Sequence, residues 1–171
     1  MIFTLALYEP ATIEYDHCLV TVKATAKKND YIISGTNLFV PFAHIADYII
    51  CVTRTKGEAI SRTGMTLFLV DGKSLEIKST LLKTIGRDKQ YEVNFDKVKV
   101  PGGNILGGLN EGWLHIEKVL QKAAVAKCAE MVGGAQKVLE MTTDYAKKRT
   151  QFGKPIGSFQ AVQHHCANML I

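Results

Sequence analysis

No apolar run in this 171-residue chain approaches the roughly 20 residues that a membrane-spanning helix needs. Met1 to Pro10 has neither the basic start nor the length of a secretory signal, so a cytoplasmic or similarly reducing setting is the expectation. The cysteines Cys18, Cys51, Cys128 and Cys166 show no CxxC spacing and lack the density of a disulfide-stapled domain. They read as free, mostly buried thiols. His164-His165-Cys166 does not make a metal site, because adjacent residues on a helix point in different directions. The glycines of "GGNILGG" lack the GxGxxG spacing and do not follow a strand through a tight turn into a helix, which argues against a Rossmann site. The net charge of +5 comes without aromatic interleaving, a zinc pattern or a recognition helix, so nucleic acid is not indicated.

What the chain does have is a change of period near residue 109. The first hundred residues hold short runs rich in Val, Ile, Thr, Phe and Tyr, separated by turns at Asn29-Asp30, Asp71-Gly72 and Pro101-Gly102-Gly103. Strands are expected over Ile2–Leu7, Leu19–Ala26, Tyr31–Ser34, Tyr48–Thr53, Thr66–Val70, Leu75–Leu81 and Glu92–Val100. Without intervening helices, two packed antiparallel sheets or a barrel is the natural architecture.

Gly112 to Lys148 reads as one helix of about 37 residues, roughly 55 Å long, with Asn110 as its expected cap. Its second half carries an apolar stripe of Cys128, Met131, Val132, Ala135, Val138, Leu139, Thr142 and Tyr145. Gly133-Gly134 costs helix propensity unless a neighbour packs closely there. Gly153 suits a left-handed helix C-cap, and Ser158 is placed to cap a second, short helix. The fold class is therefore α+β, an antiparallel sandwich or barrel over residues 1–108 followed by bundle-type helices over 109–171. So long a helix needs partners, expected from sequence beyond this segment or from another subunit. Basic residues Lys118, Lys122, Lys127, Lys137, Lys147, Lys148, Arg149 and Lys154 outnumber the acidic ones along it, and a phosphate-bearing ligand fits one local cluster.

Four stretches carry a resemblance: "ALYEP", "SGTNLFVPFAHIAD", "FDKVKVPGGNILG" and "YAKKRTQFGKPIGSFQ". In order and spacing they are similar to the acyl-CoA dehydrogenase pattern of "TEP", "NGxKxFITNAxxAD", "FxxVxVPxxNxLG" and "YAxxRxQFGxPIxxxQ". The resemblance implies the middle β domain and the start of the C-terminal four-helix bundle of a FAD-dependent enzyme that converts acyl-CoA to 2-enoyl-CoA. It also implies a homodimer or homotetramer, and electron-transfer flavoprotein or a similar acceptor as partner. On this reading the chain is a segment of a longer enzyme and is itself inactive.

By the same resemblance Arg149 reaches the FAD pyrophosphate held by a neighbouring subunit. Gln151, Phe152, Phe159 and Gln160 match nearby dinucleotide contacts. Leu7, Tyr8, Phe39, Val40 and Pro41 fall at the flavin ring. There the family's two hydrogen-bonding threonines are replaced by Tyr8 and Pro41. Proline has neither hydroxyl nor N–H to offer. On the substrate side the family's "LDxxR" Asp and Arg fall on Gln121 and Ala124, and the helix position that some members use for the catalytic carboxylate is Ala123. No catalytic residue is therefore assigned. A same-fold flavoprotein oxidase or monooxygenase, or a non-catalytic binding or assembly protein, remains as an alternative.

Overall fold

A computed structural model describes residues 1–10 and 19–171. Cys18 and the stretch Ala11–Asp16 lie outside the described residues. Two compact units emerge, Met1–Lys118 and Val119–Ile171.

The first unit is built on strands β1 (Phe3–Ala6), β2 (Lys23–Lys27), β3 (Asp30–Pro41), β4 (Tyr48–Arg54), β5 (Met65–Asp71), β6 (Ile77–Leu82), β7 (Gln90–Pro101) and β8 (Ile105–Leu106). They join in the order β6-β7-β3-β2-β4-β5-β8, with β1 added to β4. A single residue pair, Lys23 with Arg54, connects β2 to β4, so the sheet hinges there into two halves. Ile33, Val93, Phe95 and Val98 of one half share one buried cluster with Ile49, Cys51, Phe68 and Val70 of the other. Tyr31 meets Phe68 across it at 4.9 Å between ring centroids. Period-2 alternation explains why: along β7, Tyr91, Val93 and Phe95 turn inward and the residues between them turn outward.

Three expectations need correction here. The sheet is not wholly antiparallel, because β1 runs parallel to β4. The long passage through β2 and β3 supplies the crossover that a parallel pair requires. Next, β3 does not stop at Ser34 but continues to Pro41. Past Ser34 the strand carries a register shift between Ile33 and Gly35. Gly35 has φ 145°, and a Cβ there would lie 2.8 Å from Val22 Cγ2, so glycine allows β2 and β3 to close. Finally, Asn110 does not cap the long helix. Its Oδ1 lies 2.8 Å from Thr55 Oγ1, and its N–H donates to Thr66 Oγ1 at 2.9 Å.

Helix α1 spans Gly112–Lys148, as the periodicity predicts. Its first turns belong to the β-rich unit, where Ile116 is buried. From Val119 onward nearly every α1 side chain is exposed, Ala146 being buried. After α1 comes a two-stranded hairpin, β9 (Thr150–Gln151) and β10 (Lys154–Pro155), and then α2 (Gln160–Leu170). Gly153 is therefore a hairpin residue and not a helix C-cap. Phe152 and Gly153 both have positive φ, 52° and 77°, which is the signature of the two-residue turn that matches strand twist. Ser158 is not the cap of α2 either. Its hydroxyl donates to Pro155 O at 2.8 Å, and Phe159 occupies the cap position. Among the described residues no helix is long and apolar enough to cross a membrane.

Candidate functional site

Two separate places carry the residues named from the sequence, one in each unit. In the helical unit, Arg149 follows the last turn of α1. Its N–H donates to Tyr145 O at 2.8 Å and its carbonyl accepts from Ile156 N at 2.8 Å, so both sides of its backbone are pinned. Its exposed side chain forms no ion pair with any described residue. Lys147 and Lys148 precede it. Phe152, 90% exposed on the hairpin turn, meets Phe159 edge-on at 6.1 Å, and Lys154 Nζ sits 4.6 Å from the Phe159 centroid. Gln151 and Gln160 are exposed beside them. An arginine on a pinned backbone can bind a phosphate-bearing ligand, since its fork matches paired phosphate oxygens.

In the β-rich unit, the ring-end positions divide. Leu7 and Val40 are buried in the protein interior. Phe39 is 52% exposed, and Tyr8 and Pro41 are half-buried. Tyr8 bridges to Leu38, and its carbonyl accepts from Leu38 N–H at 2.8 Å and from Asn37 Nδ2 at 3.0 Å. Thr4 donates its hydroxyl to Pro41 O at 2.6 Å. An apolar recess of about 440 Å³ opens here, lined by Ile2, Phe3, Thr4, Leu5, Pro41, Phe42 and Ile45. Its rim is held by Asp47, whose carboxylate accepts from Ile2 N at 2.8 Å and pairs with Lys73 at 3.1 Å. The Ile2 amide, then Lys73, holds the Asp47 carboxyl below the usual carboxylate range.

Gln121 and Ala124, the substrate-side positions, are both exposed on α1, as is Ala123. None of the three bears a charge. The thiols are not mostly buried as expected: Cys51 is buried, Cys166 half-buried and Cys128 exposed, because the α1 stripe that carries Cys128 is itself uncovered within this chain. Burial, and secondarily the charge of Glu9, pushes the Cys51 thiol pKa up. Among the described residues, no three His, Cys, Asp or Glu side chains gather as a metal site.

Two buried charges escape sequence reading. Glu9 accepts from the amides of Thr21, at 2.8 and 2.9 Å, and Val22, at 3.0 Å, as well as from the Thr21 hydroxyl. Arg54 donates to the carbonyls of Val20, Ala59, Ser61 and Thr63, at 2.6 to 3.2 Å. It thereby fixes the β4–β5 loop. A lone Arg at a strand end offers no sign in sequence that its fork will be used inward.

Comparison with known proteins matches this geometry to one family. The acyl-CoA dehydrogenase middle-domain model covers residues 5–98, and the acyl-CoA dehydrogenase C-terminal-domain model covers 110–171. The chain belongs to the acyl-CoA dehydrogenase family. It is 32% identical over 157 residues to a short/branched chain specific acyl-CoA dehydrogenase of Bos taurus, covering 90% of this chain and 36% of that protein. It is 33% identical over 168 residues to a 3-(aryl)acrylate reductase of Clostridium sporogenes, covering 96% and 44%. Among solved structures, butyryl-CoA dehydrogenase from Megasphaera elsdenii superposes with a TM-score of 0.89 at 26% identity, over 98% of this chain and 44% of that one. The chain thus spans less than half the length of these relatives.

Proposed function

We propose that this chain forms the middle domain and first bundle helices of a FAD-dependent acyl-CoA dehydrogenase, which removes hydrogens from the α and β carbons of an acyl-CoA to give a 2-enoyl-CoA. The observation that carries this reading is the pinned, ion-pair-free Arg149 beside the Phe152–Phe159 hairpin, inside a segment matched by the family's C-terminal-domain model. Arg149 would hold the pyrophosphate by a charge-assisted fork. Gln151 and Gln160 would add hydrogen bonds, and Phe152 and Phe159 would add apolar contact. FAD, when bound, supplies the hydride acceptor. Phe39 and Pro41 would face its ring.

Neither Gln121 nor Ala124 offers a charge to the substrate, and Ala123 offers no carboxylate, so the proton-abstracting base is assigned to no residue of this chain. The exposed apolar side chains of α1 support assembly as a homodimer or homotetramer. Electron-transfer flavoprotein or a similar carrier is the proposed acceptor, and a cytoplasmic or similarly reducing compartment the proposed setting.

Anaerobic bleaching of the flavin by acyl-CoAs of several lengths tests the reading. Residues 1–171 with added FAD should give none, and a longer protein containing them should bleach and release 2-enoyl-CoA. Absence of bleaching in the longer protein would sink the dehydrogenase reading. Turnover by residues 1–171 would place the base within them.

A further inference from the structure

Arg54 ends β4, where the chain leaves the sheet for a loop that returns to β5 at Met65, and it is buried there. Behind it, its backbone N–H donates to Val22 O at 2.7 Å and its Nε to Val20 O. That stretch is fixed from its other side, since the Glu9 carboxylate takes the Thr21 and Val22 amides. In front, Nη2 donates to Ala59 O at 2.7 Å, and Nη1 to Ser61 O at 2.7 Å and Thr63 O at 2.6 Å. Three alternate carbonyls of the loop thus end on one planar fork. The neck of the loop is closed separately, because the Thr55 and Lys56 amides both donate to Gly64 O, at 2.9 and 3.2 Å. Gly64 has φ 80°, and a Cβ there would collide with Lys56 O, so the neck shuts only around glycine.

The same loop also touches the start of α1. Arg62, between two of the held carbonyls, places its guanidinium 5.3 Å from the ring centroid of Trp113, the chain's one tryptophan. At the neck, Thr55 Oγ1 lies 2.8 Å from Asn110 Oδ1. Gly112 lies so near β5 that a Cβ would stand 3.1 Å from Met65 O. The loop is therefore held inside by Arg54 and laid outside on the first turn of α1.

We propose that the loop from Thr55 to Gly64 and the start of α1 form one strap that opens and closes as a unit, with Arg54 as its latch. Opening the strap uncovers Trp113 and frees the neck amides together, while the sheet beneath stays folded. This device is independent of which cofactor or substrate the protein takes.

Native-state hydrogen exchange of residues 1–171 in rising denaturant tests it. The amides of Val20, Thr55, Lys56 and Asn110 should exchange through one shared opening, with one denaturant dependence, before the amides between β3 and β7. Arg54→Lys keeps the charge but loses the fork. It should speed exchange at all four amides by about tenfold or more and leave the β3–β7 amides at their former rates. Trypsin should cut after Lys56 and Arg62 faster in that variant than in the unmodified chain. Exchange of Asn110 through an opening of its own would overturn the shared strap. Equal acceleration of the β3–β7 amides in Arg54→Lys would overturn the latch, since Arg54 would then hold the whole β-rich unit. Should Arg54→Lys fail to fold, the latch is likewise overturned, and the denaturant series on the unmodified chain still decides whether the strap opens as one.

Discussion

The β-rich unit and the helical unit differ first in where they put their apolar side chains. In Met1–Lys118, Ile33, Val40, Ile49, Val52, Phe68, Val93 and Phe95 are withdrawn from solvent into one cluster or its margin. In Val119–Ile171, Val125, Met131, Val132, Val138, Met141 and Phe152 are all more than half exposed. One unit is a closed core, and the other is a surface. The difference teaches that secondary structure and tertiary stability are separate properties: α1 follows its sequence period faithfully, yet much of that period is not spent on burial within this chain.

Mutations that delete buried or exposed carbon should separate the units most sharply. Phe68→Ala removes a fully buried ring and should lower stability by about 3–5 kcal/mol in denaturant unfolding. Met131→Ala, on the exposed stripe, should change it by no more than about 0.5 kcal/mol in dilute solution. Comparable losses would mean that α1 is covered under the conditions used, and sedimentation at micromolar concentration, where self-association is expected, would then show the assembly responsible.

A smaller effect sharpens the same point. A Cβ at Gly133 or Gly134 would meet nothing within 4 Å, so Gly133→Ala and Gly134→Ala should each stabilise α1 by about 0.5–1 kcal/mol, read as helicity and melting temperature. If either substitution instead weakens an association seen in sedimentation, the glycine pair is a close-packing point for a neighbouring helix.

The smallest expected effect belongs to the rim of the recess. Asp47 has its folded pKa lowered, by the Ile2 amide first and Lys73 second, so its contribution is present above the ordinary carboxylate value of about 3.9 and is lost as pH falls through the lowered folded value. Asp47→Asn should therefore be slightly less stable than the unmodified chain at neutral pH, with the gap closing below about pH 4 in melting curves. A gap that persists at pH 2 would show that the carboxylate charge is not what holds Ile2.

Much of this architecture could be read directly from residue pattern. The bounds of α1 follow from its 3.6 period and from the turn residues that flank it, and the positions of the seven longer strands follow from β-branched and aromatic runs. What escaped was set by tertiary contact. The extension of β3 depends on Val22 pressing against Gly35, the parallel β1–β4 pair depends on a partner more than forty residues away, and the diversion of Asn110 depends on Thr55 and Thr66. The hairpin at Phe152-Gly153 was hidden because a glycine after a helix is read as its cap, when a phenylalanine with positive φ makes it half of a two-residue turn. Of the candidate site, Arg149 could be singled out through its motif, but the hairpin that follows it could not. The hydrogen bond from Thr4 to the Pro41 carbonyl was not legible either, since no local pattern tells that Thr4 will reach it.

The account depends most on Arg149 holding the cofactor, and an FAD titration of the unmodified chain against Arg149→Ala tests this most directly. The substitution should weaken FAD binding by roughly 1.5–3 kcal/mol, the worth of a charge-assisted hydrogen bond, about ten- to more than a hundredfold in dissociation constant. Equal dissociation constants for the two proteins would contradict the role assigned to Arg149, and with it the FAD reading built on this hairpin.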